Sequence, residues 1–263
     1  MKNVILSVSL VLAGFFVTPV QAQPSAKNTE PPVVSFKGKI TFERKANSHK
    51  QLDDMMKGQP GSENMLDQVK KQIPKYKVDF FELFFNQDIS LYKLAKDGLT
   101  ESKMMMGNQP ADRNTVYRDL TKNQNIAEKF IYDKTYLIQD SIPQYQWKIT
   151  EEFRKIAGYN CRRAETIIMD SIYVIAFYTD AIVTASGPES FSGLPGMILG
   201  IVMPRLNVTY FATKVDQYIP DEKGLLPPTK GEKNKNAQLD AKLRESMKQW
   251  GPWVNRILWY VNI

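Results

Sequence analysis

Short runs in which apolar and polar residues alternate are the feature that most restricts the fold of this chain. In the run from 36 to 43 every second residue is apolar or small, which gives one face for a core and one for water. Similar runs follow at 80–85, 90–94, 116–120, 129–132, 135–138, 145–153, 161–169, 172–179, 197–203 and 206–215. Short links between many of them are typical of hairpins. The pattern predicts a mainly β fold, a largely antiparallel meander sheet curved into a barrel or half-barrel, because closure protects strand edges.

A few segments depart from this alternation. Residues 62–73 have helical spacing and end before a proline, which predicts a short N-terminal helix, whereas 47–60 has the composition of a loop. Apolar residues at helical spacing in 237–250 predict a second helix, and we expect it to pack on the sheet because an isolated helix of this length is marginal. The final segment, 253–263, suits a closing strand or a short packed helix.

The first 22 residues have the three parts of a secretory signal. Lys2 is followed by an apolar run at 4–17 and by small residues before Ala22, so we expect cleavage after Ala22. The run is shorter than the ~20 residues of a spanning helix. A lipoprotein would have Cys as the first residue after cleavage. That residue is Gln23 here, so we expect no lipid anchor. These features predict a soluble protein of the periplasm, without a transmembrane segment.

Composition and length set the predicted domains. Removing 22 of the 263 residues leaves 241, and the 43% apolar content supports one packed domain. We expect a flexible leader at 23–34, a β-rich domain at 35–218, and at 219–263 a linker with a C-terminal helix or closing segment on the same domain. The formal charge of +7 is spread among acidic residues, and export separates the protein from nucleic acid, so no nucleic-acid partner is predicted.

The chain offers little for catalysis. A catalytic cysteine needs a histidine nearby as its base, and the sequence has one cysteine, Cys161, and one histidine, His49. The common nucleophile, phosphate-loop and metal-protease motifs are missing. We therefore predict a protein that is not an enzyme and needs no cofactor. A weaker hypothesis is Cu(I) binding by the thioethers of Met104, Met105 and Met106, with His49 as a further candidate ligand, because soft sulfur suits that ion.

The segment Gly193-Leu194-Pro195-Gly196-Met197-Ile198 resembles the name motif of the GLPGLI family of exported proteins. It departs from that motif at Met197, and Gly200 stands where the family pattern suggests a glutamate. The resemblance extends to blocks at 38–43, 147–149, 156–164, 177–179, 187–188 and 228–231. It implies an envelope protein of unknown activity, often encoded near TonB-dependent outer-membrane receptors, and it favours a packing role for Cys161.

The motif loop allows two interpretations. Its polar and apolar groups can form a binding site for a ligand or partner, with these candidates: Tyr178, Asp180, Glu189, Phe191, Leu194 and Pro195. Alternatively, Phe191 and Leu194 close the end of the sheet and the remainder is turn chemistry. The leading hypothesis is a non-catalytic periplasmic accessory or binding protein that serves an outer-membrane receptor. The alternative is a carrier of a lipid or other hydrophobic ligand, suggested by aromatics on both faces of 80–85.

Overall fold

A computed structural model describes residues 37–57, 61, 63–100, 109–216, 225–251 and 253–263. The predicted signal and leader lie outside these residues, as do Met104, Met105 and Met106. The first part of the 219–263 segment, up to residue 224, is also outside them.

Twelve strands form a single sheet within the described residues. Their bounds are Gly38–Asn47 (β1), Tyr76–Phe85 (β2), Ile89–Leu94 (β3), Thr115–Asp119 (β4), Gln124–Ile131 (β5), Lys134–Ser141 (β6), Lys148–Ile156 (β7), Tyr159–Ile168 (β8), Ile172–Thr179 (β9), Met197–Met203 (β10), Val208–Asp216 (β11) and Glu232–Asn234 (β12). The sequence analysis located all of these except the three-residue β12, with strand ends shifted by several residues. The mainly β fold is confirmed.

Two meanders meet at the centre of the sheet. Its order is β12-β6-β5-β4-β3-β2-β1-β11-β10-β9-β8-β7, so the strands β1 to β6 run outward in one direction and β11 to β7 in the other. All neighbouring pairs are antiparallel except β12 with β6. Among the described strands β12 and β7 each have one neighbour, which makes the sheet open rather than a closed barrel.

The face of the sheet that carries Phe42, Phe81 and Tyr92 is the inner face. Phe81 and Tyr92 stack with ring centroids 4.9 Å apart, and Phe42 meets Tyr92 edge to face. Such aromatic contacts add to the stabilisation from buried area. Strand β1 alternates as predicted from 38 to 44, with its even-numbered residues buried and its odd-numbered residues half-buried.

Four α-helices accompany the sheet in the described residues: Ser48–Met56 (α1), Glu63–Gln72 (α2), Asn236–Ser246 (α3) and Trp253–Val261 (α4). Helix α2 confirms the predicted short N-terminal helix. The loop predicted for 47–60 is wrong over α1, where the side chain of Asn47 accepts a hydrogen bond from the Lys50 amide and so caps the helix. Helix α3 agrees with the second predicted helix. The final segment, for which a closing strand and a short packed helix were both open, forms the helix α4.

The core has two main parts. The larger unites the inner face of β1–β6 with α3 and α4, through Leu243 and Leu258 among others. The second lies against β8–β11 and includes Phe191 and Leu194 from the connection between β9 and β10. None of the helices among the described residues is long and apolar enough to cross a membrane.

Candidate functional site

The 180–196 connection between β9 and β10, the motif loop, has a tightly fixed backbone. The amide of Met197 donates to the carbonyl of Ile182, and that of Ile198 donates to the carbonyl of Ser186. Gly196 has φ +137°, and a Cβ added there would lie 2.2 Å from the carbonyl oxygen of Thr179. Only glycine fits this approach of two backbone segments. Gly196 is therefore needed for folding.

The apolar part of the motif loop belongs to the core. Phe191 is fully buried, and its ring lies 5.6 Å from that of Tyr145 and 6.5 Å from that of Trp147. Leu194 and Tyr178 are buried in the same cluster. The indole of Trp147 donates to the carbonyl of Ser192 at 2.9 Å, which joins this part of the loop to the start of β7.

The six predicted site residues do not form one site. Tyr178, Phe191 and Leu194 pack in the second core cluster, whereas Asp180 and Pro195 are exposed. Glu189 alone has a different environment, because it is 1% exposed and faces polar groups of the inner face. The structure thus distributes the six residues over the core, the surface and a buried polar region.

Glu189 lies at the centre of a buried polar cluster. Its Oε2 accepts a hydrogen bond from Asn114 Nδ2 at 2.9 Å, and the hydroxyl of Tyr92 lies 3.4 Å from Oε1. Tyr210 of β11 also interacts with this carboxyl group. The backbone of Glu189 has φ +51°, uncommon for a residue with a side chain, and its carbonyl oxygen accepts from the guanidinium of Arg118.

Three cations surround this carboxyl group on the inner face. Arg44 of β1 pairs with Asp79 of β2, with 2.6 Å between Nη2 and Oδ2. Arg118 of β4 is fully buried and donates to Ser186 Oγ and to the carbonyl of Gly187, both at 3.0 Å. Lys129 of β5 donates to the carbonyl of Val261 in α4.

Burial alters the pKa of most of these groups. It raises the pKa of Glu189, against the opposing effect of Arg44 and Asn114. It lowers the pKa of Arg118 to about 10 and that of Lys129 to about 8. Burial also opposes the charge on Arg44, but the nearby Tyr210 and Asp79 outweigh it, so the pKa of Arg44 is raised. The inner face thus holds charges that burial makes costly.

A pocket of about 50 Å³ opens beside this cluster. A volume of that size holds roughly three or four water molecules. Its wall includes three acidic, two basic and three amide side chains, namely Asp79, Asp112, Glu189, Arg44, Lys77, Asn114, Gln51 and Gln109. The Asn114 Oδ1 atom is buried and has no hydrogen-bond partner. An unpaired buried acceptor costs free energy, so this pocket is suited to a group that donates a hydrogen bond.

Apart from Glu189, these polar residues were not predicted from the sequence, although their positions carried a signal. Arg44 follows Ile40 and Phe42 on the buried side of β1, and Asp79 precedes Phe81 on the buried side of β2. In β5 the same is true of Lys129, which lies between Ala127 and Ile131. A charged residue in register with the apolar face of a predicted strand marks a buried charge.

The other candidates lie apart from the pocket wall. His49 is on α1, where Nε2 lies 3.1 Å from the carbonyl oxygen of Ile73. Cys161 is buried in the first core cluster, and burial raises the pKa of its thiol to about 12. The described residues contain no group of three or more His, Cys, Asp or Glu side chains able to hold a metal ion. At Gly200 a Cβ would lie 2.8 Å from the ring of Phe211, so no glutamate fits there.

Comparison with known proteins gives a family match over a short segment. Residues 165–200, which include the GLPGMI motif, match the family described as protein of unknown function (Porph_ging), a family of the GLPGLI type. No curated protein matches the chain.

Solved structures resemble the chain in fold. The structure of PNGF-II in space group P21 is 16% identical, with a TM-score of 0.50, over 76% of this chain and 32% of that one. The C2 form of PNGF-II is 15% identical, with a TM-score of 0.49, over 85% of this chain and 32% of the other. The chain thus spans about a third of PNGF-II.

Proposed function

We propose that this chain is an exported, non-catalytic binding protein of the GLPGLI family that serves the cell envelope, and that the pocket beside Glu189 is its binding site. One observation carries the proposal: a buried carbonyl acceptor, Asn114 Oδ1, is left without a partner beside a pocket that Asn114 lines together with charged side chains. Native proteins rarely leave such atoms unpaired unless a water, ion or ligand meets them.

The charges of the pocket wall favour a particular chemistry. Asp79, Asp112 and Glu189 share this wall with Arg44 and Lys77, and the buried Arg118 and Lys129 also lie near Glu189, so acidic and basic groups are closely balanced here. Arg44 bonds to Asp79, and the ammonium of Lys77 lies 3.4 Å from Asp112 Oδ2 and 3.6 Å from Asp79 Oδ2. The vacant acceptor favours a group that donates a hydrogen bond, and the carboxylates beside it suit a donor that is a primary ammonium group.

The size of the pocket limits what enters it. About 50 Å³ admits one small group and excludes an acyl chain. The remainder of the ligand therefore stays outside, as when a partner protein inserts a lysine or an amino terminus. Such binding suits the accessory role, with an outer-membrane receptor as the partner implied by the family resemblance. The interior around Phe42, Phe81 and Tyr92 is filled by these side chains, which supports this role over carriage of a lipid.

The chemistry of the cluster supports binding rather than turnover. Histidine and cysteine are missing from the pocket wall, and the tyrosines that contact Glu189, Tyr92 and Tyr210, have pKa values raised by burial and by Glu189. They remain protonated at neutral pH. Copper binding stays a prediction, because its methionines lie outside the described residues.

Titration with methylammonium, followed by amide chemical shifts, tests the site. A ligand of two heavy atoms gains at most about 3 kcal/mol, so we expect a Kd on the order of 10 mM. Acetate and tetramethylammonium, which have no N–H to donate, should not shift the same resonances. Equal shifts with all three probes would contradict the proposal.

Two asparagine variants sharpen this test. Asn114→Leu should abolish the methylammonium shifts. Asn125→Leu is the matched control, because Asn125 also has a buried, unpaired Oδ1 but does not line the pocket. It should bind as wild type does.

Export has its own experiment. Fractionation of the native host, with amino-terminal sequencing of the recovered protein, should place it in the periplasm with Gln23 as its first residue. Co-purification with an outer-membrane receptor from envelope extracts tests the partner. A cytoplasmic protein that retains residues 1–22 would refute the export proposal.

A further inference from the structure

Strand β7, Lys148–Ile156, is a free edge of the sheet. Among the described strands it pairs only with β8. Eight of its nine residues are exposed or half-buried, and Phe153 is 65% exposed. Exposed strand edges template pairing with another strand, so proteins usually protect them.

The turn between β7 and β8 shows which backbone groups of β7 are free. Ala157 and Gly158 form a two-residue link with φ +48° and +88°, and Ile156 pairs with Tyr159 across it. In such a hairpin the residues flanking the turn form a hydrogen-bonded pair, and hydrogen-bonded and non-hydrogen-bonded pairs then alternate. The amide and carbonyl groups of Lys155 and Phe153 therefore point away from β8, towards the open edge. The register of β7 with β8 shifts between Ile149 and Phe153, so the turn assigns these directions only as far as Phe153.

On β7, each acidic residue before Phe153 has a basic residue at the same distance after Phe153. The sequence reads Glu151-Glu152-Phe153-Arg154-Lys155. If two copies of β7 pair antiparallel with Phe153 opposite Phe153, then Glu152 faces Arg154 and Glu151 faces Lys155, each twice. The two copies of Phe153 then bond to each other through their amide and carbonyl groups, which point away from β8.

The side chains that would face each other also lie on matching faces of the sheet. Glu152 bonds to Arg163 and Glu151 to Arg162, so these two glutamates are on opposite faces of β7. The guanidinium of Arg154 lies over the rings of Phe177 and Phe211 on the face that carries Arg163. Opposed residues of an antiparallel pair share a face, so Glu152 and Arg154 meet as the register requires.

We infer that β7 pairs with β7 of a second copy of this chain, in the two-fold register centred on Phe153. Charges that only protected the edge would need no order, and edge lysines alone would serve. Here every opposed charged pair in the register has opposite signs, which fits an interface with the same surface on both partners. The proposal is independent of the pocket beside Glu189.

Sedimentation equilibrium of the mature protein over a wide concentration range tests this inference. Wild type should reach a dimer. Glu151→Lys and Lys155→Glu should each raise the dimer Kd about tenfold, because two-fold symmetry makes each change place like charges together twice. The Glu151→Lys/Lys155→Glu double variant should restore the wild-type value, since the pairs are then exchanged.

Controls separate dimer formation from folding. Lys148→Glu changes a charge on the same strand that faces Gly158 in the proposed register, so it should leave the Kd unchanged. At concentrations well below the dimer Kd, all variants should unfold at the wild-type temperature, because the altered residues are exposed and dimer formation no longer contributes to stability. A monomer at every concentration, or a dimer that the double variant fails to restore, would overturn the inference.

Discussion

Phe191 and Glu189 are two residues apart in the motif loop, and both are almost completely buried, yet they lie in opposite kinds of surroundings. Phe191 packs among aromatic and aliphatic side chains of the second core cluster. Glu189 faces Asn114, Tyr92 and three cations on the inner face. Burial of an apolar ring stabilises the fold by itself, whereas burial of a charge costs free energy unless its partners offset the loss of water. The first residue is explained by stability, and the second is the residue for which we propose a role in binding.

Phe191→Ala tests the apolar side of this comparison and should have the largest effect. We expect a loss of about 3–5 kcal/mol in unfolding free energy, because the ring is fully buried and leaves a cavity. Urea titration measures it. Ile167→Ala is the control, since Ile167 is exposed, and it should cost less than about 0.5 kcal/mol. Equal effects would show that Phe191 does not support the fold.

Lys129→Met tests the charged side through pH. The pKa of Lys129 is about 8 in the folded chain and is near 10.5 when unfolded, so between these values the unfolded chain binds more protons. Wild type therefore gains stability as pH rises above 8, and relative to the variant it should gain about 2 kcal/mol by pH 10.

Urea unfolding at several pH values measures the effect of Lys129. The exposed Lys134 supplies the control: Lys134→Met should show the pH dependence of wild type. A constant difference between wild type and Lys129→Met from pH 7 to 10 would contradict the cost of this buried cation.

Pro195→Ala should have a small effect. Pro195 is exposed between two glycines with positive φ and acts mainly by restricting the unfolded chain. We expect a loss of about 0.5–1 kcal/mol if the turn is kept, with methylammonium binding unchanged. Loss of binding in a variant of normal stability would instead make the motif turn part of the site.

The sequence predicted local structure better than long-range contacts. Strands β9 and β10 were predicted with the bounds that the structure has, because their apolar runs end at turn residues. Helix α1 was missed because only three of its nine residues are apolar (Leu52, Met55 and Met56) and its capping residue, Asn47, also suits a loop. The pairing of β1 with β11 joins segments about 170 residues apart, and no local pattern specifies it.

The candidate site was predicted only in part. Glu189 was named, but its partners come from β1 to β5 and from β11, and only the sheet order brings them together. Phe191 and Leu194 were named both as ligand contacts and as core, and the structure places them in the core. A buried residue without a local partner is recognised from the fold rather than from the motif around it.

The central claim is that the charge of Glu189 is kept for binding and not for stability, and Glu189→Gln tests it directly. Because burial raises the pKa of this carboxyl group, the folded chain holds its proton more tightly than the unfolded chain does. Ionisation therefore lowers wild-type stability as pH rises from the usual glutamate pKa through the raised one, and the uncharged glutamine avoids this loss.

At neutral pH, urea unfolding and methylammonium titration should be measured on the same samples of wild type and Glu189→Gln. The account predicts that the variant is at least as stable as wild type, to within about 1 kcal/mol, and does not bind methylammonium. A variant that unfolds several kcal/mol more easily, or that binds the probe as wild type does, would contradict it.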